Sequence, residues 1–307
     1  MQKVIVICGP TASGKTDLSI ELAKKIDGQI ISADSMQIYK EMDIGTAKIK
    51  EDEMQGIKHY LIDTVEPTKR YSVSEYKKDA KKAIKEIINN GKTPIIVGGT
   101  GLYINSLVYD IEYPEIETDV EYRNKLEELV KITGLKELYD KACNIDSTAM
   151  KKISPNDKKR ILRVLEIYHQ TGMTKTELEI KSRQNPKEYD YKVFAINMPR
   201  EILYERINTR VDKMIANGLE GEVRNLYNKY NKKLPTSLQA IGYKEIIEYI
   251  EGKCTLNEAI EKVKQESRRY AKRQITWFKK IEGIIWIDGL NDVKENVNDI
   301  LNRVGLL

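Results

Sequence analysis

Short apolar runs alternate with amphipathic stretches along the first hundred residues. Residues 4–8, 29–33 and 94–97 are rich in β-branched side chains, which predicts short strands buried in a sheet. Apolar residues recur at helical spacing after residue 16 and again over 74–90, where Gly91 predicts a helix end. Strands that alternate with helices predict an α/β fold, in which helices flank a parallel sheet.

The pattern changes in the middle of the chain. Residues 118–182 have helical periodicity alone, and strand character returns only at 191–198. We therefore predict a core formed by 1–112 and 190–307, with an all-helical subdomain inserted at 113–189. Further elements are predicted as helices over 200–216, 219–231, 242–251 and 255–281 and a last strand over 284–287.

Composition excludes several classes of protein. The chain has 307 residues, 40% of them hydrophobic, but no apolar run long enough to cross a bilayer. The apolar run near its start is too short for the hydrophobic region of a signal peptide. The cysteines Cys8, Cys143 and Cys254 are far apart, and with only two histidines they form no zinc-ligand cluster. We expect a cytoplasmic protein without disulfides, structural zinc or a membrane span.

Positive charge is concentrated near the C-terminal end. The whole chain has a net charge of +5, whereas eight basic residues and one glutamate give +7 over residues 262–280. This stretch is either a solvated helix face or a surface that binds a polyanion. Val263, Tyr270, Trp277 and Ile281 share one face by spacing, and we expect them to lie in the core rather than to stack on bases.

A phosphate-binding motif follows the first predicted strand. Residues 9–16 match the pattern G-x-x-x-x-G-K-[ST], in which backbone N–H groups and a helix N-terminus surround an anion. Lys15 is expected to reach the outer phosphate and Thr16 to bind Mg²⁺. The diphosphate-binding residues are predicted to be Gly9, Pro10, Thr11, Ala12, Ser13, Gly14, Lys15 and Thr16. The motif predicts a P-loop NTPase-like core, although a plain strand–helix turn and a kinase or triphosphatase remain open alternatives.

An acidic residue follows the second predicted strand. Because the carboxyl ends of parallel strands open onto one crevice, Asp34 should lie near the phosphate loop. Three roles fit this position: a general base, a Mg²⁺ ligand through water, or the N-cap of the next segment.

Four further segments carry a resemblance to a known family. They are DSMQIY at 34–39, DIGTAK at 43–48, GGTGLY at 98–103 and AKRQITWF at 271–278. In this order and spacing they resemble the tRNA dimethylallyltransferases, also called tRNA isopentenyltransferases. The likeness extends from residue 4 to about residue 280. Lys58-His59 departs from the basic pair that is frequent in the family, and the zinc finger of eukaryotic members is missing, so the chain resembles the bacterial form.

The resemblance implies an activity and roles for individual residues. Members transfer a dimethylallyl group from dimethylallyl diphosphate to N6 of the adenine that follows the anticodon in tRNA. By resemblance Asp34 is the general base, Thr100 orients the target base, and Arg210 is a second clamp on the diphosphate. Arg206 lies four residues before Arg210 on the same helix face, which favours a shared anion site. Mg²⁺ is the implied cofactor.

The implied partners are tRNA, through its anticodon stem-loop, and the allylic diphosphate. We expect a monomer without a membrane partner. The implied RNA-contacting residues are Asp34, Ser35, Met36, Gln37, Thr100, Arg123, Asp157, Lys158, Lys159, Arg160, Ile161, Gln239, Gly242, Tyr243, Lys272 and Arg273.

Three rival functions differ in what they need from the sequence. A small-molecule kinase has no use for the basic helix, and an RNA-binding nucleotide switch needs no base at Asp34. An enzyme that prenylates free AMP shares the chemistry, but the inserted helices and the basic helix favour a polymeric substrate.

Overall fold

The computed structural model describes residues 1–113, 119–184, 187–230, 236 and 239–306. Residue 118, where the predicted helical region begins, and residue 231, the end of one predicted helix, lie outside these ranges.

A six-stranded parallel sheet is the centre of the fold. Its strands lie in the order β3-β2-β4-β1-β5-β6. They are β1 (Lys3–Cys8), β2 (Gly28–Ser32), β3 (His59–Tyr60), β4 (Thr93–Gly98), β5 (Asp190–Asn197) and β6 (Ile285–Asp288). The predicted P-loop NTPase-like fold class is confirmed. The sequence analysis missed β3, because a two-residue strand has no measurable periodicity.

Helices precede and follow these strands along the chain. They are α1 (Lys15–Lys25), α2 (Val73–Asn89), α3 (Gly101–Val108), α4 (Val120–Thr133), α5 (Leu135–Ile145), α6 (Ser147–Met150), α7 (Lys158–Thr171), α8 (Lys175–Arg183), α9 (Arg200–Ala216), α10 (Leu219–Lys229), α11 (Tyr243–Ile250), α12 (Leu256–Phe278) and α13 (Val293–Val304). No helix within the described ranges is long and apolar enough to span a bilayer.

Capping explains where two of these helices begin. Ser72 accepts the backbone N–H of Glu75, whose carboxylate in turn accepts the N–H of Ser72, and this capping box begins α2. Thr255 and Glu258 form the same arrangement at the start of α12. The sequence analysis did not predict α13, although its buried residues Val297, Ile300, Leu301 and Val304 have helical spacing.

The chain forms two compact units, Met1–Asn105 with Glu188–Leu307, and Ser106–Lys187. The first unit contains the sheet. On one side of the sheet, α1 packs with α13 in a core that includes Leu18, Leu22, Val297 and Ile300. Lys3 donates a 2.6 Å hydrogen bond to the carbonyl of Val304 beside this core. Both ends of the described chain therefore support the helix that follows the phosphate loop.

The second unit is all-helical and has its own core. Leu126, Leu138, Leu162 and Leu165 from different helices are buried together. Gly134 separates α4 from α5, and Gly172 ends α7 in the left-handed region at φ 67°.

Candidate active site

Three loops meet at the carboxyl edge of the sheet. They follow β1, β2 and β4, which are neighbours in the sheet order. The backbone N–H of Thr100 donates to the carbonyl of Ala33 at 3.0 Å, and the N–H of Ser35 donates to Oγ1 of Thr100 at 3.0 Å. Gly98 permits this approach, since a Cβ atom there would lie 2.2 Å from the carbonyl oxygen of Ala33. The predicted base and the predicted base-orienting threonine are thus brought side by side.

The phosphate loop has the conformation that its motif requires. Ala12 and Gly14 have φ of 62° and 88°, and α1 begins directly after Gly14. Successive left-handed and right-handed residues turn backbone N–H groups toward one concavity, which suits an anion. Ser13 is buried at 3% exposure, and within the described residues its Oγ has no hydrogen-bond partner. A diphosphate oxygen in the concavity would offer that hydroxyl an acceptor.

Two cations converge on the same place. Lys15 donates to the carbonyl of Pro10 at 2.7 Å. Burial, and then the charge of Arg210, lower the pKa of Lys15 to about 8, while the charge of Asp34 opposes that shift. Burial also lowers the pKa of Arg210, and Asp34 again opposes the effect. Two desolvated cations beside one carboxylate favour the binding of a polyanion.

The two carboxylate oxygens of Asp34 differ in their hydrogen bonds. Its Oδ1 accepts the N–H groups of Met36 at 2.8 Å and Gln37 at 3.2 Å, so this oxygen caps the turn. Among the described residues none donates a hydrogen bond to Oδ2. One carboxylate oxygen therefore orients the side chain, and the other remains able to accept a proton.

The sequence analysis missed Gln274, which joins two of the three loops. Its Oε1 accepts the N–H of Thr11 at 3.0 Å, and its Nε2 donates to the carbonyl of Gly99 at 2.9 Å. It is 5% exposed, and a Cβ atom at Gly99 would lie 2.2 Å from Nε2. The sequence did contain a signal for this role, because Gln274 is a polar residue on the apolar face of a basic helix.

Tyr270, one turn before Gln274, was expected only in the core. Burial, and then the charge of Asp34, raise its pKa to about 12, while Thr100 and Gln274 act in the opposite direction. Tyr270 is therefore a neighbour of the predicted catalytic pair, and its hydroxyl remains protonated at neutral pH.

The segment 43–48 supports the second cation. Arg210 donates from Nη2 to the carbonyl of Thr46 at 3.3 Å, and Nε2 of Gln37 donates to the same oxygen at 3.3 Å. A pocket of about 500 Å³ opens along α9 and is lined by Ile202, Glu205, Arg206, Thr209, Arg210 and Lys213. Arg206 is exposed on this face, so the predicted pair of arginines does lie on one surface.

The residues fit a Mg²⁺ ion held mainly by substrate. Thr16 is exposed in the first turn of α1, with its hydroxyl available at the phosphate loop. No group of three His, Cys, Asp or Glu side chains within the described ranges could hold a metal. Mg²⁺ commonly retains waters and binds substrate phosphates with few protein ligands, which suits a site with one hydroxyl.

Three residues with implied RNA contacts lie at the start of α11 or just before it. Gln239 is exposed, whereas Gly242 and Tyr243 are buried. Gly242 has φ of 98° and starts α11. A Cβ atom at Gly45 would lie 2.3 Å from the ring of Tyr243. Tyr243 therefore packs against the segment 43–48, and its ring does not face solvent.

Ion pairs offset positive charges of the basic helix α12 between residues 262 and 269. Lys262 pairs with Glu248 at 2.5 Å and Lys264 with Asp212 at 2.8 Å. Arg269 pairs with Glu266 at 2.6 Å. Among the described residues, no carboxylate forms an ion pair with the four exposed cations at the other end, Lys272 and Arg273 in α12 and Lys279 and Lys280 just after it.

The prediction that Trp277 belongs to the core is wrong. Val263 and Ile281 are 1% and 3% exposed, but Trp277 is 38% exposed. A helix this long drifts relative to a seven-residue repeat, so residues that share a face at one end separate at the other. One edge of Trp277 covers Gly101, where a Cβ atom would lie 2.4 Å from its Cδ1.

The second unit contains the remaining implied RNA contacts. Asp157 caps α7 by accepting the N–H of Arg160 at 3.1 Å. The exposed Lys159 and Arg160 and the half-buried Lys158 form the first turn of that helix. Ile161 is fully buried in the core of the unit, so its side chain contributes support rather than surface.

Arg123 is held by carboxylates of its own unit. Its guanidinium is 2.7 Å from Glu166, which is 5% exposed, and 3.2 Å from Glu127. Any RNA contact from Arg123 would have to share these partners.

Comparisons with known proteins agree with this architecture. The family model described as IPP transferase matches residues 37–281. The chain is 51% identical to a tRNA dimethylallyltransferase of Thermoanaerobacter sp. (strain X514), over 97% of this chain and 96% of that protein.

Solved structures give the same result. A tRNA isopentenylpyrophosphate transferase from Staphylococcus epidermidis is 44% identical with a TM-score of 0.73, covering 99% of each chain. A eukaryotic dimethylallyltransferase described as acting on tRNA is 31% identical with a TM-score of 0.81, covering 99% of this chain and 80% of that one. The resemblance carried by the four motifs is therefore confirmed, and the chain belongs to the tRNA dimethylallyltransferase family of IPP transferases and is an enzyme of that family.

Proposed function

We propose that this enzyme transfers a dimethylallyl group from dimethylallyl diphosphate to N6 of the adenine that follows the anticodon in tRNA. The observation that carries the proposal is the position of the Asp34 carboxylate, whose Oδ1 is used in the turn, close enough to Lys15 and Arg210 for their charges to interact. An allylic substitution by an amine needs a group that accepts the amine proton and cations that stabilise the leaving diphosphate, and this site has both.

The reaction forms the bond between N6 and the allylic carbon and breaks the bond between that carbon and the diphosphate oxygen. The leaving diphosphate gains negative charge, which the phosphate-loop N–H groups, Lys15 and Arg210 stabilise. Asp34 accepts the proton that N6 loses. Mg²⁺ held at Thr16 would supply further charge neutralisation of the diphosphate.

The target base must leave the anticodon-loop stack to reach Asp34, and unstacking costs a few kcal/mol. We assign its orientation to Thr100, whose Oγ1 is already fixed by the N–H of Ser35. The exposed cations of α12 and the first turn of α7 are proposed to bind the RNA backbone. Supporting this polymer substrate, the eukaryotic relative is described as acting on tRNA. The predicted cytoplasmic location and monomeric state stay predictions.

The test uses labelled dimethylallyl diphosphate with Mg²⁺ and unmodified tRNA, and AMP in parallel. Asp34→Asn keeps the oxygen that caps the turn but removes the base, so we expect kcat to fall by about 10²- to 10⁴-fold with little change in KM for the diphosphate. Asp27→Asn is the matched control, because Asp27 pairs with Lys92 at the start of the strands, away from the carboxyl edge.

Label in tRNA that disappears with Asp34→Asn and persists with Asp27→Asn would support the proposal. Label in AMP alone would assign the enzyme to free nucleotides. Equal transfer by both variants would remove Asp34 as the base.

A further inference from the structure

Four hydrogen-bond donors converge on the carboxylate of Glu222, a half-buried residue of α10. Its Oε2 accepts the backbone N–H groups of Asp43 at 3.0 Å and Ile44 at 2.7 Å. Its Oε1 accepts the N–H of Gly45 at 3.0 Å and the hydroxyl of Tyr243 at 2.5 Å. Neither oxygen is left to contact a substrate.

This geometry requires a carboxylate. Three successive N–H groups that point to one place create a local positive potential, which an anion with two acceptor oxygens satisfies. Burial, and then the Glu222 charge, raise the pKa of Tyr243 far above its ordinary value, so its hydroxyl stays a donor. The same ring closes over Gly45, so Glu222 and Tyr243 hold both sides of one short backbone segment.

Thr46 follows this segment directly, and its carbonyl faces the candidate active site. It accepts from Arg210, the predicted diphosphate clamp, and from Gln37, a predicted RNA contact, each at 3.3 Å. Gln37 also donates to the carbonyl of Ala47 at 3.2 Å. A rotation of the peptide planes at 43–45 would redirect the Thr46 oxygen, release Arg210 and remove one of the two acceptors of Gln37. The position of Arg210, and in part that of Gln37, thus depends on the direction of the Thr46 carbonyl.

We propose that Glu222, oriented by Tyr243, is a positioning residue that directs the carbonyl of Thr46 and so sets the placement of Arg210 for the diphosphate and Gln37 for the RNA. The inference rests on the proposed function of this site. Glu222 acts through the backbone and touches no reacting atom.

The far end of the segment has anchors besides Glu222. Lys48, whose side chain is 4% exposed, donates to the carbonyl of Tyr39 at 2.8 Å and pairs with Asp43 at 2.6 Å and with Asp63. We therefore expect a change at Glu222 to reorient the segment without unfolding it.

The decisive variant is Glu222→Gln, which keeps the size of the side chain but puts an NH₂ group against N–H donors. Glu220→Gln is the matched control, because Glu220 lies on the same helix and, within the described part of the chain, pairs only with the surface residue Arg224, at 2.7 Å. The first measurement is calorimetric binding of inorganic diphosphate with Mg²⁺. We expect Kd to rise about tenfold for Glu222→Gln and to stay unchanged for Glu220→Gln.

The second measurement separates positioning from general damage. Glu222→Gln should lower kcat/KM for dimethylallyl diphosphate by about tenfold in the natural background but by less than twofold when Arg210 is already replaced by Gln, because the effect passes through Arg210. Tyr243→Phe, which removes one donor and leaves the three N–H groups, should give a smaller loss of about threefold with the same dependence on Arg210.

Equal diphosphate binding by the natural enzyme and Glu222→Gln would overturn the inference, as would losses that are the same in both Arg210 backgrounds. A natural enzyme that binds diphosphate but transfers nothing to tRNA or AMP would instead overturn the proposed function. In that case the Glu222 effect on diphosphate binding still decides the positioning role.

Discussion

Gln274 donates a hydrogen bond to the carbonyl oxygen of Gly99 at 2.9 Å and thereby ties the basic helix to the carboxyl end of β4. The same side chain accepts the N–H of Thr11 in the phosphate loop. The loop predicted to hold the leaving group and the loop predicted to orient the base therefore share one support.

Replacing Gln274 with Ala should lower the free energy of unfolding by about 1–3 kcal/mol, because a partly buried N–H and a buried carbonyl lose their partner. Denaturant unfolding measures this difference. Gln265→Ala, an exposed change on the same helix, should stay within about 0.5 kcal/mol of the natural chain. If both variants were equally stable, the hydrogen bonds of Gln274 would contribute nothing to the fold.

Two glycine substitutions should change stability in opposite directions. Gly98→Ala places a Cβ atom 2.2 Å from the backbone oxygen of Ala33 and should destabilise by about 1–3 kcal/mol, since neither strand can shift without losing register. Gly221 lies within α10 with open space around it, so Gly221→Ala should stabilise by about 0.5–1 kcal/mol. Thermal unfolding of both variants tests the contrast, which a shared sign would contradict.

Acidification should destabilise the chain through His59. Burial lowers the pKa of His59 below 6.5, and the contact of Nδ1 with the carbonyl of Ile57 offsets only part of that shift. Below pH 6.5 the unfolded chain binds a proton that the folded chain does not, so stability is lost as the pH falls through this range.

Unfolding free energies between pH 7.5 and 5.5 measure the effect. His59→Gln should flatten the profile, whereas His169→Gln, a change at an exposed histidine, should leave the slope intact. An unchanged slope in His59→Gln would assign the pH dependence to other groups.

The cations at the C-terminal end of α12, which form no ion pairs with described residues, should dominate binding to RNA. Lys272→Gln combined with Lys279→Gln should weaken tRNA binding and reduce the slope of log K against log salt by about 1.4–1.8, the value for two lost phosphate contacts. Lys262→Gln combined with Lys264→Gln removes the same charge from the half that is already paired and should leave the slope nearly unchanged. Equal slopes for the two double variants would mean that overall charge, rather than this surface, attracts the RNA.

Local patterns in the sequence were sufficient for most of the fold. The apolar runs predicted five of the six strands, and the phosphate loop lies where the motif placed it, because backbone conformation there depends on neighbouring residues. Glu222 and Gln274 could not be found in this way. Their backbone partners lie more than 170 positions away, and only the folded chain brings them together.

The exposure of Trp277 has a related cause. Spacing along a helix predicts which residues share a face, but it does not predict where the neighbouring element ends. One edge of Trp277 packs on the backbone of Gly101, where a side chain would not fit, and the ring as a whole remains 38% exposed. The roles of the implied RNA contacts stay predictions for the same reason, since they depend on a partner molecule.

The packing of α1 against α13 can form only late in protein synthesis. Lys3 and Val304, which meet beside these helices, are 301 positions apart. At roughly 5–20 residues per second, the ribosome needs roughly 15–60 s to make the second partner after the first has emerged. During this interval β1, β2 and β4 can already cover α1, but the part of its apolar surface that packs against Val297 and Ile300 has no partner. The helix that follows the phosphate loop therefore gains its full packing only after α13 has been made.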